Sequence, residues 1–281
     1  MKKKSSRFIA AKVNINENIF SADKEELIES IPGSIKSGNK LEKNSWTWEF
    51  TDVVPVSEGD QKYVYGHLVK SRYETVNVVD GDKTVNYEIP KPVANMGRFL
   101  YQAKNEILIF EESPLNRQEF IEAFGDLIHN NNISVGEVKI TFIPIKSKVI
   151  KEIKSIEVLT KIEFDINPPN MIQKKTFKGL NDIINDENAT RMKTTFENEN
   201  GLNKEGEFIE EGIEMVSNAY GEVKAYGHNL EPRSNRKGNK KVKKRFLSRD
   251  SIHLREINVD NKEVLLSKLK RFAIDMRNVL L

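Results

Sequence analysis

Between Arg233 and Arg249 the chain carries nine lysines and arginines and no acid. They are Arg233, Arg236, Lys237, Lys240, Lys241, Lys243, Lys244, Arg245 and Arg249, interrupted by the turn-forming Ser234, Asn235, Gly238 and Asn239. A row of fixed cations on such a segment suits one chemistry above others. It neutralises the phosphates of nucleic acid, releases their counterions and reads no base. Tyr226 and Phe246 flank the run and are the aromatics placed to stack on bases. The competing reading is a solvated hairpin whose charges block edge-to-edge strand pairing or dock on an acidic protein. Charge distribution favours the first. The net charge is +3, yet without these nine residues 36 basic side chains face 42 acids. One segment supplies the whole positive excess.

Other chemistries fit less well. Asp126 followed by Glu137-Val138-Lys139 has the outline of a metal-dependent nuclease, in which acids hold Mg²⁺ and a lysine supports the attacking water. Asp126, however, falls in a helical pattern, and Glu-x-Lys recurs at Glu152-Ile153-Lys154 and Glu222-Val223-Lys224. The four histidines, His67, His129, His228 and His253, form no metal-binding pair at i, i+4. Arg249 and His253 stand four apart, whereas the Arg/His pair of helical ribonucleases sits on a helix at a wider gap. With no cysteine in the chain, disulfides, thiolate zinc sites, iron–sulfur clusters and thiol nucleophiles are excluded. Glycine-rich phosphate loops, nucleophile elbows and kinase signatures are absent from the sequence. Catalytic residues are therefore unassigned, and no cofactor or metal site is expected.

The elements that must position the basic run are legible in part. Alternation predicts strands at Arg7 to Ile15 (with Ile9, Ala11, Val13 and Ile15 on one face), Trp46 to Phe50, Tyr63 to Val69 and Lys161 to Ile166. Val76–Val79, Asp80-Gly81 and Thr84–Ile89 read as a tight hairpin, and Phe99–Ala103 with Ile107–Phe110 as another. Ser21 caps a predicted helix that Pro32-Gly33 stops, and Ser113-Pro114 opens the helix carrying Phe120, Phe124 and Leu127. Val138 to Phe142 reads as a strand and Val149 to Ile153 as a short helix. Further helices are expected over Phe177–Ile184, Thr190–Phe196 and Glu207–Tyr220. Glu222–Tyr226 and Val242–Phe246 are expected to pair around the basic loop, with Ile252–Ile257 as a third strand. The chain closes in a helix that Asp260 caps and Glu263 completes as a capping box. The alternating Trp46, Trp48, Tyr63 and Tyr65 read as core packing, with an exposed protein interface as the alternative.

Together these predict an α+β fold, a mixed, largely antiparallel sheet with helices packed mainly on one face. The expected organisation is a sheet-rich part over residues 1–167, a polar helical connector over 168–206, and a C-terminal helix, basic hairpin and closing helix over 207–281. The last part can also form one domain with the first. Hydrophobic residues make up 38% of the chain and charged residues 31%, and the mean hydropathy is -0.56. A folded core under a highly charged surface follows. No apolar run reaches the ~18 residues a membrane span needs. The basic start Lys2-Lys3-Lys4 is not followed by an export segment. A cytoplasmic protein is expected.

Three stretches carry a resemblance. They are Phe99-Leu100-Tyr101 with Asn105 to Phe110, Leu159 to Phe164 running into Pro168-Pro169-Asn170, and Tyr220 to Gly227. In these patterns of apolar residues and turns the chain resembles an uncharacterised bacterial family, a domain of unknown function found among phage-defence and mobile-element genes. The resemblance implies a role in antiviral defence as sensor, effector or accessory subunit, and supplies no catalytic residues. The expected partner is nucleic acid, DNA or RNA. A protein partner or a second copy of the chain is the alternative, and no membrane is expected.

Overall fold

The structure, a computed structural model, describes residues 5–17, 24–168, 179–187, 189–232 and 239–280. Strands hold 48% and helices 29%, against roughly 20–25% and 30–35% in an average globular domain. The fold is mixed but strand-rich. It divides into two compact units. The first gathers Met1–Phe8, Glu17–Val138 and Arg255–Ile274, and the second Ile9–Asn16, Lys139–Leu254 and Asp275–Leu281.

The first unit holds α1 (Lys24–Ser34), β2 (Lys40–Lys43), β3 (Trp46–Glu58), β4 (Gln61–Arg72), β5 (Thr75–Asp80), β6 (Lys83–Glu88), β7 (Val93–Gln102), β8 (Ile107–Glu111) and α2 (Arg117–Asn130). Its strands run in the order β8-β7-β4-β3-β2, every pair antiparallel. Phe120 and Phe124 of α2 meet Phe50, Phe99 and Phe110 of the sheet, with Phe110 and Phe120 stacked at 4.3 Å between ring centroids. That aromatic cluster is what the apolar stripe of α2 buries. Trp48, Tyr63 and Tyr65 are also buried, and half-buried Trp46 lies under Lys70 and Arg72. The alternating aromatics are thus chiefly core, and do not form an exposed interface.

β5 and β6 form a two-stranded ribbon paired only with each other. Val76, Val78, Val85 and Tyr87 share one of its faces, by register, and of the twelve strand residues only Val78 is even half-buried. Its tight turn is Gly81-Asp82, closed by Asp80 opposite Lys83, and Gly81 takes the positive φ of 62° that such a turn demands.

Several helix ends differ from expectation. α1 passes through Pro32 and ends at Ser34, while Ser21, its expected cap, lies outside the described residues. α2 starts three residues after Pro114, because the Asn116 side chain accepts from the Gln118 backbone N–H and satisfies one of the first-turn donors. At α6 (Lys262–Leu280) the cap is Asn261 and not Asp260: its side-chain oxygen accepts from the N–H groups of Glu263 and Val264.

β1 (Ser5–Glu17) contributes to both units and is buried without a break from Phe8 to Asn16. The alternation predicted a half-buried strand. Two of its buried polar side chains have partners, the Asn14 amide donating to the Ala219 carbonyl at 3.2 Å and the Lys12 ammonium sitting 5.3 Å from the Tyr220 ring centroid, whereas Asn14 Oδ1 and Asn16 Nδ2 find none among the described residues. The second unit also contains α3 (Lys146–Ser155), β10 (Val158–Ile166), α4 (Gly179–Asp186), β11 (Met192–Glu197), α5 (Glu207–Ser217), β12 (Gly221–Pro232) and β13 (Asn239–Leu247). Two further strands, β9 (Val135–Phe142) and β14 (Leu254–Asn258), cross the division between units. Residues 192–197, expected as helix, are a strand: the alternation of Met192, Thr194 and Phe196 with Lys193, Thr195 and Glu197 pairs with β10. β14 is not the third strand of the basic hairpin's sheet, whose order is β11-β10-β12-β13.

Candidate nucleic-acid interface

The basic segment is positioned by this four-stranded antiparallel sheet, in which residues opposite one another share a face. On one face Leu159, Ile162, Phe164, Val223, Ala225 and Phe246 form a core with Val149 and Ile153 of α3, Leu180 and Ile184 of α4, and Ile209, Met215 and Val216 of α5. The helix α5 lies so close that a Cβ at Gly212 would fall 2.8 Å from the Phe164 ring. The other face is polar and solvated. It carries Lys161, Glu163 and Asp165 on β10, Lys193 and Thr195 on β11, Glu222, Lys224 and Tyr226 on β12, and Arg245 on β13.

Ion pairing on that face is uneven. Glu163 meets Lys161 at 3.0 Å and Lys224 at 3.9 Å, and Asp165 pairs with Arg191 and with Lys193. The hydrogen bond to Glu163, with the charges of Glu163 and Glu197, holds Lys161 above the ordinary lysine value. β13 differs. It is one of the sheet's two edges, and Lys240, Lys241, Lys243, Lys244 and Arg245 are all exposed along it. None of these five forms an ion pair with a described residue, although Glu231 stands opposite Lys240 in register. Arg245 instead leans over Tyr226, 5.8 Å from the ring centroid. Arg249 is exposed on the short turn Ser248–Asp250 that follows. Arg233, Arg236 and Lys237 lie outside the described residues.

Two glycines fix the hairpin against β10. A Cβ at Gly221 would lie 2.2 Å from the Asp165 carbonyl oxygen, and one at Gly227 would lie 2.1 Å from that of Val158. Phe246, considered for stacking, is 8% exposed and belongs to the core, whereas Tyr226 is half-buried on the open face.

The other sequence candidates stand apart. Asp126 on α2 accepts a 2.8 Å hydrogen bond from Lys43, whose pKa that bond raises. No group of three His, Asp or Glu among the described residues is placed to hold a metal ion. His67 contacts Asp52 at 2.9 Å, and His129 is bound to the carbonyls of Val135 and Gly136. Arg249 and His253 share no helix. A cleft of about 640 Å³ in the first unit, lined by Arg7, Arg98, Glu111, Glu112 and Glu256 among others, was not foreseen. Its charges answer one another: buried Glu111 takes Arg98 on both oxygens, and Glu112 takes Arg7 and Arg117. Long-range ion pairs of this kind leave no spacing signal in a sequence.

Fold and edge together define a strand-rich chain of mixed helix and strand, whose four-stranded antiparallel sheet has at one edge a cationic strand without acid partners among the described residues. No helix among the described residues is long and apolar enough to cross a membrane. The chain belongs to the family described as Domain of unknown function (DUF4747), which matches residues 6–262. No curated protein matches it.

Proposed function

We propose that this chain is a nucleic-acid-binding protein that holds phosphates through Lys240, Lys241, Lys243, Lys244 and Arg245 of β13, with Arg249 and the neighbouring Arg233, Arg236 and Lys237. One observation carries the reading: the cations of β13 have no acid partner among the described residues, while Lys161 and Lys224 on the inner strands, and Arg191 and Lys193 at β11, do. Neutralised lysines gain little from a polyanion. Exposed cations without partners release counterions on binding, and binding then falls steeply with salt. The resemblance implies a bacterial phage-defence setting, in which this activity would serve to sense or act on foreign nucleic acid in the cytoplasm.

Binding of labelled DNA and RNA between 50 and 200 mM salt tests it. With Lys240, Lys241, Lys243 and Lys244 changed to Gln, about four phosphate contacts are lost, and the wild type's fall in affinity across that range shrinks by roughly 100-fold. A second reading has an observation of its own, since β13 is an edge strand and lysines on an edge block pairing with other chains. A variant that keeps its nucleic-acid affinity but self-associates on gel filtration would establish that reading instead.

A further inference from the structure

Building on the nucleic-acid reading, we infer that the ligand is an unpaired strand, lying along β12 and β13 with one base stacked on Tyr226. A single cross-strand row carries the inference. Lys161 on β10, Tyr226 on β12 and Arg245 on β13 stand side by side on the face away from the Phe164–Phe246 core. Tyr226 is half-buried, so its ring is held by its neighbours and still reaches solvent. Directly opposed side chains in a sheet have Cβ atoms about 4.5–5.5 Å apart. A base on the ring therefore brings its phosphates within reach of Arg245, the cation on the β13 side that has no acid partner among the described residues. The guanidinium already over the ring shows that a flat cationic group fits there, and guanidinium planes stack on bases as aromatic rings do.

Charge gives the track a direction. Toward one end of the same face stand Glu163, Asp165 and Glu222, with Asp165 and Glu222 opposite one another, and Glu197 lies across from Lys161. Lys161, Lys224, Arg191 and Lys193 are engaged by these acids, so that half repels or ignores phosphate. Past Tyr226 the face continues to Lys243 opposite His228 and Lys241 opposite Leu230, with no acid at these β12–β13 positions, and the nearby Glu157 carboxylate is taken up by the Leu230 backbone N–H. A strand anchored on Tyr226 runs that way.

A duplex does not suit this surface. Its bases are stacked inside, and reaching the ring requires flipping one out at an unstacking cost. Major-groove reading needs an inserted helix or ribbon, whereas this half of the site is the flat face of a sheet with one ring on it. Sheet faces with exposed aromatics and flanking cations bind single strands with little sequence preference.

The test is fluorescence anisotropy at one fixed salt concentration. The probes are single-stranded DNA and RNA of about 16 nucleotides, near the upper site size of such platforms, and the duplex of the same sequence. Wild type is compared with Tyr226→Leu, Tyr226→Phe and the four-lysine Gln variant. The expected result is single-strand binding roughly tenfold tighter than duplex binding. Tyr226→Leu loses about tenfold on single strands while its salt dependence is unchanged, and Tyr226→Phe stays within about twofold. The DNA and RNA arms identify which strand is preferred, and either satisfies the inference. Equal or tighter duplex binding, or unchanged single-strand affinity in Tyr226→Leu, overturns it. If the lysine variant is weakened in that same experiment, the nucleic-acid reading survives alone. If no oligonucleotide binds wild type even at low salt, both fall.

Discussion

Tyr101 on β7 is fully buried, and its hydroxyl has no hydrogen-bond partner among the described residues. Burial, helped by the charge of Glu106, holds its phenol well above the ordinary value of 10.0. The folded state thus keeps this proton to higher pH than the unfolded state does. The resulting stability is present in full below pH of about 10 and is lost as pH rises through the folded pKa. Tyr101→Phe removes both the ionisation and the unsatisfied hydroxyl. Stability near neutral pH is expected to be unchanged or raised by about 1 kcal/mol, and the alkaline decline to become shallower. Urea unfolding at neutral pH and just above the phenol's normal value measures both. A variant weakened at neutral pH with the alkaline decline intact would mean that the hydroxyl is bonded after all. Of the aromatics flanking the basic run, Tyr226 and Phe246 were indistinguishable in the sequence. Their opposite fates follow from strand parity, which register alone decides.

At the scale of elements, the tripeptide Tyr-Gly-His occurs twice, at 65–67 on β4 and 226–228 on β12, and both copies face a shift in strand register. Opposite Gly66 the pairing jumps between Thr51 and Val54, and opposite Gly227 it jumps between Leu159 and Lys161. An extra residue in one strand pushes backbone toward its neighbour, and only glycine leaves room. A Cβ at Gly227 would also meet Ile156 Cγ2 at 2.6 Å. Gly227→Ala is expected to cost more than about 2 kcal/mol, a fall in Tm of roughly 4–8 °C for a chain of this size. An unshifted melting curve would show that the bulge can relax. Strand and helix identities were legible where periodicity was long and clean, as at β10 and the ribbon β5–β6. The strand at 192–197 was missed because Thr194 and Thr195 sit in a polar, charged stretch whose alternation is weak until β10 supplies its partner. Caps were misplaced by one to three residues at Asn116 and Asn261, since Ser, Asp and Asn beside one another offer equal donors' partners and backbone geometry chooses among them. For the binding surface, the cations of β13 were visible as composition. The acids that silence Lys161 and Lys224 were not, because pairing across strands is not written in sequence order.

Over the whole molecule, net charge is a poor guide to what the surface does. At +3 in total, the chain is close to balanced, and its affinity for polyanions is expected to depend on where the lysines stand. Two four-residue variants separate location from total. Changing Lys240, Lys241, Lys243 and Lys244 to Gln, or instead the exposed Lys36, Lys83, Lys91 and Lys104, takes the net charge from +3 to -1 in either case. On a heparin column the first variant is expected to elute at much lower salt than wild type, and the second close to it. Equal losses would reduce the edge to a contribution to bulk charge. The ribbon β5–β6 has a consequence of a different kind. Because its strands pair only with each other and bury almost nothing, little ties its opening to the unfolding of the core. Its amides exchange with solvent deuterium through local fraying, on a faster clock than the sheet that carries it. The Gly81-Asp82 tip is in turn the place where an inserted reporter peptide disturbs the molecule least.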